Sequence, residues 1–369
     1  MVPIRVLQVV TVMNRGGLET MLMNYYRQTD RGQIQFDFMV HRMERGHYDD
    51  EIEALGGRIY RMPHIRPGHY RSYFGKLDDF FKAHPEYRVV HAHINENSSF
   101  VLGAAHRAGI PCRIAHSHLS DLGIDIKLPF RLYARMAMKD HPTRYFACSR
   151  NAGTWLFGKE REVTVLNNAV DAKEFKRDEA VRSAVREELG LVGKRVIGHI
   201  GRFNKQKNHE FLIEIMNAAV KQDPNVILLL VGEGHLRQSI EDKVSNLGIG
   251  DHVRFLGMRE DIPRLLQSFD LFLFPSLFEG LPVVLIEAQA AGLNCLISDT
   301  ITQECNITGR VTFADLKQPA RHWASLLSNM STEYADTSAL LSSRGYDTAT
   351  MAAWLGNVYL EESREPVHS

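Results

Sequence analysis

Short β-branched runs alternate with longer stretches of helical period along nearly the whole chain. That alternation restricts the fold more than any other feature, because a parallel strand is reached only through a long crossover, usually a helix. A first series of strands is predicted over 5–10, 35–40, 58–61, 89–92, 113–115, 144–147 and 163–166, with helices over 18–26, 74–83, 100–108 and 130–139. A charged junction from Asp171 to about Lys194 carries one helix, over 180–189. A second series follows at 195–200, 226–231, 253–256, 271–274 and 294–297, and 348–362 reads as a closing amphipathic helix. Runs such as Val226-Ile227-Leu228-Leu229-Leu230-Val231 are apolar throughout, as in strands buried on both faces.

At 369 residues the chain suits two domains better than one core. The expected architecture is α/β, with two doubly wound Rossmann-like domains over 1–172 and 173–347 and the segment 348–369 packing back on the first. In such sheets ligands bind beyond the carboxyl ends of the strands, and in a two-domain chain the cleft between domains is the expected site. The chemistry is therefore sought in the loops that follow strands.

Lys plus Arg balances Asp plus Glu at 44 each, which points to no nucleic acid or other polyanionic partner. The four cysteines (Cys112, Cys148, Cys295 and Cys305) are scattered, so neither a zinc ribbon nor a disulfide framework is expected, and reduced thiols suit a cytoplasmic protein. No stretch reaches the ~20 apolar residues that span a bilayer.

The segment from Pro275 to Gly292 is the most informative. A strand ends at Phe274, a glycine-containing loop follows, Pro282 stands where a first helical residue belongs, and Gly292 closes the helix. A helix start of this kind suits a phosphate. Glu287 is the only charged residue of that helix, on a face with Val283 and Ala291. Such a carboxylate is either satisfied by a core donor or directed into a polar cleft. Glu279, in the loop, reads locally as a helix cap or as a ligand contact.

The loop Gly201-Arg202-Phe203-Asn204-Lys205-Gln206-Lys207-Asn208 puts several cations directly after a strand, as a diphosphate site or a solvated basic loop requires. Gly16 and Gly17, between the first strand and its helix, permit close approach of backbone to a ligand. His91 with His93, and His116 with His118, face the same way at strand spacing, so a metal site has to be weighed. No acidic or cysteine ligand accompanies them and no Asp-x-Asp ends a strand. Polar cleft lining is the reading, and no metal and no resident cofactor are expected.

Taken together and in order, these segments resemble glycosyltransferase family 4, retaining enzymes of the GT-B fold, and within it the bacterial capsule and exopolysaccharide enzymes. The Glu-x7-Glu element is matched by Glu279 and Glu287, Gly-Arg-x4-Lys by Gly201, Arg202 and Lys207, and Gly-Gly-x-Glu by Gly16, Gly17 and Glu19. Asn-Gly-Val-Asp appears as Asn168-Ala169-Val170-Asp171, with alanine in place of glycine.

The resemblance implies two domains facing a central cleft. It implies transfer of a hexosyl or N-acetylhexosaminyl group from a nucleotide sugar, of the UDP type, to a saccharide or lipid-linked acceptor. By the same resemblance, Arg202 and Lys207 hold the departing diphosphate, and Glu287 accepts from the ribose hydroxyls. Glu279, Gly280 and Leu281 contact the hexose. A histidine after a first-domain strand meets the reacting sugar, His118 fitting best with His116 two residues away. Front-side displacement then needs no protein nucleophile. The competing functions are a sugar-nucleotide epimerase or hydrolase on the same scaffold and a non-catalytic nucleotide-sugar-binding subunit. The loops 64–73 and 119–129 are the expected acceptor side.

Lys127, Arg131, Arg135 and Lys139 recur at four-residue spacing among apolar positions. That pattern suits a helix lying on anionic lipid, hence peripheral contact with the inner face of the cytoplasmic membrane. An ordinary surface helix packed on the sheet fits it as well.

Overall fold

The computed structural model of the protein describes residues 2–65, 70–118, 128–138 and 140–364. The chain divides into two compact units, Met1–Ala169 with Thr348–Ser369, and Val170–Asp347. The expected boundary at 172 falls inside a short helix, Ala172–Phe175. Val170 already belongs to the second unit: its N–H donates to Tyr346 O (3.1 Å) and it bridges Asp347.

The first unit holds a parallel sheet of seven strands: β1 (Ile4–Val10), β2 (Ile34–Val40), β3 (Ile59–Arg61), β4 (Val89–Ala92), β5 (Cys112–Ser117), β6 (Arg144–Ala147) and β7 (Thr164–Val165), in the order β3-β2-β1-β4-β5-β6-β7. The second holds six: β8 (Arg195–Ile200), β9 (Val226–Val231), β10 (Val253–Gly257), β11 (Leu271–Phe274), β12 (Asn294–Ser298) and β13 (Val311–Ala314), in the order β10-β9-β8-β11-β12-β13. Both sheets reverse direction of growth beside their first strand, at β1/β4 and at β8/β11, so each has one topological switch point.

β2 and β9 are buried at every residue, which requires cover on both faces of each sheet. The helix Thr348–Arg364 returns to the first unit and packs against β1, β4 and the helix Gly17–Gln28. β5 is longer than the predicted 113–115, so His116 lies inside the strand rather than after it. β13 and the helices Asp49–Ala54, Ala320–Asn329 and Ser338–Ser343 lie beyond the elements predicted. The four cysteines are buried and form no disulfide.

The junction helix Glu179–Glu188 is fastened to the second sheet by charge. Asp270, just before β11, accepts from Val196 N (2.7 Å) and from Arg186 Nη1 (3.2 Å), and pairs with Arg182. Arg182 also donates to Phe269 O (2.9 Å) and Arg186 to Ser268 O (2.9 Å). At β8 a side chain on Gly198 would put its Cβ 1.9 Å from the Phe269 ring, so glycine is required there for the same turn to pack. Removing one partner from a buried ion network strands the others, at about 3–5 kcal/mol. Asp270→Ala should therefore lower unfolding stability by about that amount, read from urea midpoints. A loss below about 1 kcal/mol, the scale of a surface pair, would contradict the account.

Candidate active site

The loops leaving β8 and β11 flank the switch point of the second sheet, and backbone geometry fixes the first of them. Gly201 N donates to Val231 O (2.9 Å) and Phe203 N to Glu233 O (3.0 Å). Gly232 has φ +134°, and a Cβ on Gly234 would stand 2.4 Å from Phe203 O, so the β9 loop lies directly against the β8 loop. Asn204 Oδ1 accepts from Lys207 N (3.1 Å) and closes the short turn Lys205–Lys207.

This turn is bonded across to the β11 loop. Leu277 N donates to Gln206 O (2.8 Å), Gln206 Nε2 to Phe278 O (3.0 Å), and Asn208 Nδ2 to Pro275 O (3.1 Å). On that frame Lys207 Nζ stands 2.6 Å from Glu279 Oε1 and 4.6 Å from the centre of the Phe274 ring. Both partners of the ion pair are largely buried, at 15% and 8% side-chain exposure. Arg202 is exposed, and its guanidinium meets no partner among the described residues.

The helix Val283–Ala290 follows the β11 loop, with Pro282 at its N-cap, one position earlier than predicted. No side chain caps this start. Its end is a Schellman turn: Gly292, at φ +71°, donates to Gln289 O (3.0 Å) and Leu293 N to Ala288 O (3.1 Å).

Two polar side chains of this helix are buried, and they differ sharply. Gln289 donates to Leu285 O (3.0 Å) and Cys305 O (2.8 Å) and accepts from Ile307 N, Thr308 N and Thr308 Oγ1, each at 3.0 Å. Glu287, 8% exposed, meets no donor among the described residues, and burial raises its carboxyl to about 7. Gln289 is a structural polar residue with every group matched. Glu287 is an acceptor-rich group that the fold itself does not satisfy.

In the first unit Gly16 is the N-cap of the helix Gly17–Gln28, in extended conformation. A Cβ there would meet Glu19 Oε2 at 2.3 Å, so the glycine lets Glu19 fold back over the helix start.

The four histidines cluster on β4 and β5. His91, His93 and His116 offer ligand atoms within 4.8 Å of one another. Most of their nitrogens are engaged: His91 Nε2 with His116 Nδ1 (3.1 Å), His91 Nδ1 with Tyr359 OH (2.6 Å) and His93 Nε2 with Gln8 Oε1 (2.9 Å), while His116 Nε2 is buried with no partner among the described residues. A metal ion would have to displace these bonds. Burial pushes His91, His93 and His116 well below the usual imidazole range and His118 down to about 3. Of the two histidines weighed for substrate contact, His116 is fully buried and His118 is partly exposed, its backbone N–H donating to Asn95 Oδ1 (3.0 Å).

The structure thus brings Arg202, Lys207, Glu279, Gly280, Leu281 and Glu287 onto the loops after β8 and β11 and the helix that follows. Gly16, Gly17 and His118 belong to the other unit. Sequence reasoning passed over Gln206 and Asn208, which bond the loops together. It also passed over Gln8, whose only signal is a polar side chain inside an apolar strand, and Tyr359.

Residues 66–69 and 119–127, most of the expected acceptor side, lie outside the described residues, as do Lys127 and Lys139. Within the helix Leu128–Ala137, Arg135 turns inward to Leu156 O (3.0 Å) and Trp155, while Leu132, Tyr133 and Met136 are exposed. No helix among the described residues is long and apolar enough to cross a membrane.

Two Rossmann-like units, the second with cations and carboxylates on the loops at its switch point, are those of the GT-B fold. Anabaena HepE, solved in complex with UDP, shares this fold at a TM-score of 0.80 over 97% of this chain and 100% of its own, with 18% identity. Residues 181–308 match the family Glycosyl transferases group 1. The protein named as glycosyltransferase EpsF of Bacillus subtilis (strain 168) is 36% identical over 369 residues, 96% of each chain. The UDP-Gal:alpha-D-GlcNAc-diphosphoundecaprenol alpha-1,3-galactosyltransferase of Escherichia coli is 28% identical over 235 residues, 60% of each. The chain belongs to the group 1 glycosyltransferase family.

The state of Glu287 has a measurable signature. Its carboxyl titrates near 7 when folded and near the ordinary 4.5 when unfolded, so the folded protein holds the extra proton between those values. Stability is therefore highest below about pH 4.5 and falls as pH rises through 7, by up to about 3 kcal/mol from this group. Glu287→Gln should remove that slope. Relative to wild type, the variant should gain stability between pH 5 and pH 8 in urea unfolding, and a difference independent of pH would contradict the assignment.

Proposed function

We propose that the protein is a retaining glycosyltransferase of family 4. It moves a hexosyl or N-acetylhexosaminyl group from a UDP-sugar to a saccharide or lipid-linked acceptor in capsule or exopolysaccharide biosynthesis, without a metal ion. The observation that carries this reading is the Lys207–Glu279 pair, bonded into the β8 and β11 loops, together with Glu287 on the helix that follows, a buried carboxyl that meets no donor among the described residues. HepE was solved in complex with UDP, and the Escherichia coli relative is named for UDP-Gal as donor and a diphosphoundecaprenol-linked acceptor.

In this reading Arg202 and Lys207 bind the diphosphate. Lys207 is held in place by Glu279 before the donor arrives, so its charge is set without reorganisation as the leaving group develops its own. Glu287, once ionised, accepts from the two ribose hydroxyls, which supply the donors that the fold withholds. Glu279 and the backbone of Gly280 and Leu281 contact the hexose. Gly16, Gly17 and His118 are the contributions of the first unit.

The bond from the anomeric carbon to the phosphate oxygen breaks, with its electron pair leaving on that oxygen. The acceptor oxygen bonds the same face of the carbon, and the acceptor's hydroxyl proton passes to the departing phosphate. The work of the protein is orientation and charge stabilisation.

Incubation with a panel of nucleotide sugars and acceptors tests the proposal. Lys207→Ala and Arg202→Ala should each lower kcat/KM by roughly 30- to 1000-fold, the effect of losing about 2–4 kcal/mol of transition-state stabilisation. Turnover equal to wild type would overturn the site assignment. Consumption of donor at the full rate without any acceptor would replace transfer by epimerisation or hydrolysis.

A further inference from the structure

The histidines of the first unit form a two-by-two array whose protons are set from one end. Ring centroids stand 4.1 Å apart for His91 and His93 and 4.0 Å for His116 and His118. Across the strands they stand 5.1 Å and 5.2 Å apart. Among the described residues the array bonds only to Gln8 and Tyr359 through its side chains, and no carboxylate joins it. Burial keeps all four rings neutral, so each carries one N–H and one bare nitrogen.

The short contact decides where the chain of hydrogen bonds starts. Tyr359 OH stands 2.6 Å from His91 Nδ1, the length of a hydroxyl donating rather than of an N–H donating to oxygen. With its hydrogen spent there, the hydroxyl oxygen accepts from Gln8 Nε2 (3.2 Å). That orientation turns Gln8 Oε1 to His93 Nε2 (2.9 Å), which must then carry the hydrogen. His93 Nδ1 is left bare and accepts from His118 Nε2 (3.0 Å), which carries the hydrogen in turn. On the other branch His91 Nε2 donates to His116 Nδ1 (3.1 Å), which leaves the hydrogen of His116 on Nε2, a buried nitrogen with no partner among the described residues. One carboxamide thus orders both branches, and His118, the partly exposed member, ends the first.

We propose that Gln8 is a positioning residue that, through His93, holds His118 as the Nε2–H tautomer, so that His118 offers a bare Nδ1 as acceptor to a hydroxyl of the sugar substrate. The substrate half rests on the reading of His118 as a sugar contact, whereas the tautomer half rests on the first unit alone. A fixed tautomer selects a hydroxyl over a bare acceptor at that point, with no rearrangement on binding. The opposite orientation of the Gln8 carboxamide would reverse every donor in the array and make Nδ1 of His118 a donor, so the two arrangements are distinguishable by a single nitrogen.

Two-bond 1H–15N correlation spectra of the full chain labelled with 15N-histidine read this directly. In the wild type His118 is expected with Nε2 protonated and Nδ1 bare. In Gln8→Leu that single tautomer should give way to an average of both forms, with kcat on a UDP-sugar reduced about tenfold, the scale of one hydrogen bond. Nδ1–H on His118 in the wild type would overturn the proposal, and this result needs no variant to fold. An unchanged His118 signal in Gln8→Leu would overturn the role of Gln8. Unchanged turnover in His118→Ala would overturn the substrate half and the sugar-contact reading with it, while the tautomer would still be read from the spectrum.

Discussion

β8 and β11 lie side by side and parallel, with Leu271 opposite Ile197 and Phe272 opposite Gly198, yet their chain connections run to opposite sides of the sheet. The loops leaving their carboxyl ends therefore open away from their own helices and toward each other. Everything at the candidate site depends on that one pairing. It puts Gln206 against Leu277 and Phe278, and those bonds in turn put Lys207 against Glu279, 72 positions away. The approach has a steric condition, met by Gly198 under the Phe269 ring and Gly234 under Phe203. The same switch point recurs at β1 and β4, where Gln8 and His91 stand opposite one another.

The two units treat buried polarity in opposite ways. In the first, four imidazoles bond to one another and to two neutral side chains, and burial keeps them neutral. In the second, Glu287 meets no donor among the described residues, and burial raises its carboxyl to about 7. A group whose charge is suppressed by its own fold gains most from a ligand that brings donors. At the opposite, amino-terminal ends of β8 and β11, Asp270 pairs with Arg182 and Arg186 and is left with no unmatched charge.

Most of the architecture was legible because continuous apolar runs such as 226–231 and 271–274 admit few other readings. β13 was harder: Val311–Ala314 is four residues long, at the edge of its sheet, with Thr312 exposed. The glycine and cation pattern of the two loops pointed to the site. What the pattern lacked was pairing. Glu287 and Gln289 are both polar residues in one apolar helix, and only the distant segment 305–308 makes the second a structural residue and leaves the first unsatisfied. Gln8 and Tyr359 are separated by 351 positions, beyond what local periodicity can connect.

The central claim is that the β8 and β11 loops with Glu287 receive a sugar nucleotide. A crystal structure with UDP bound tests it most directly. The account predicts both ribose hydroxyls within hydrogen-bond distance of the Glu287 carboxylate and the phosphates against Arg202 and Lys207. Nucleotide bound away from these loops, or a Glu287 still without a donor, would contradict it.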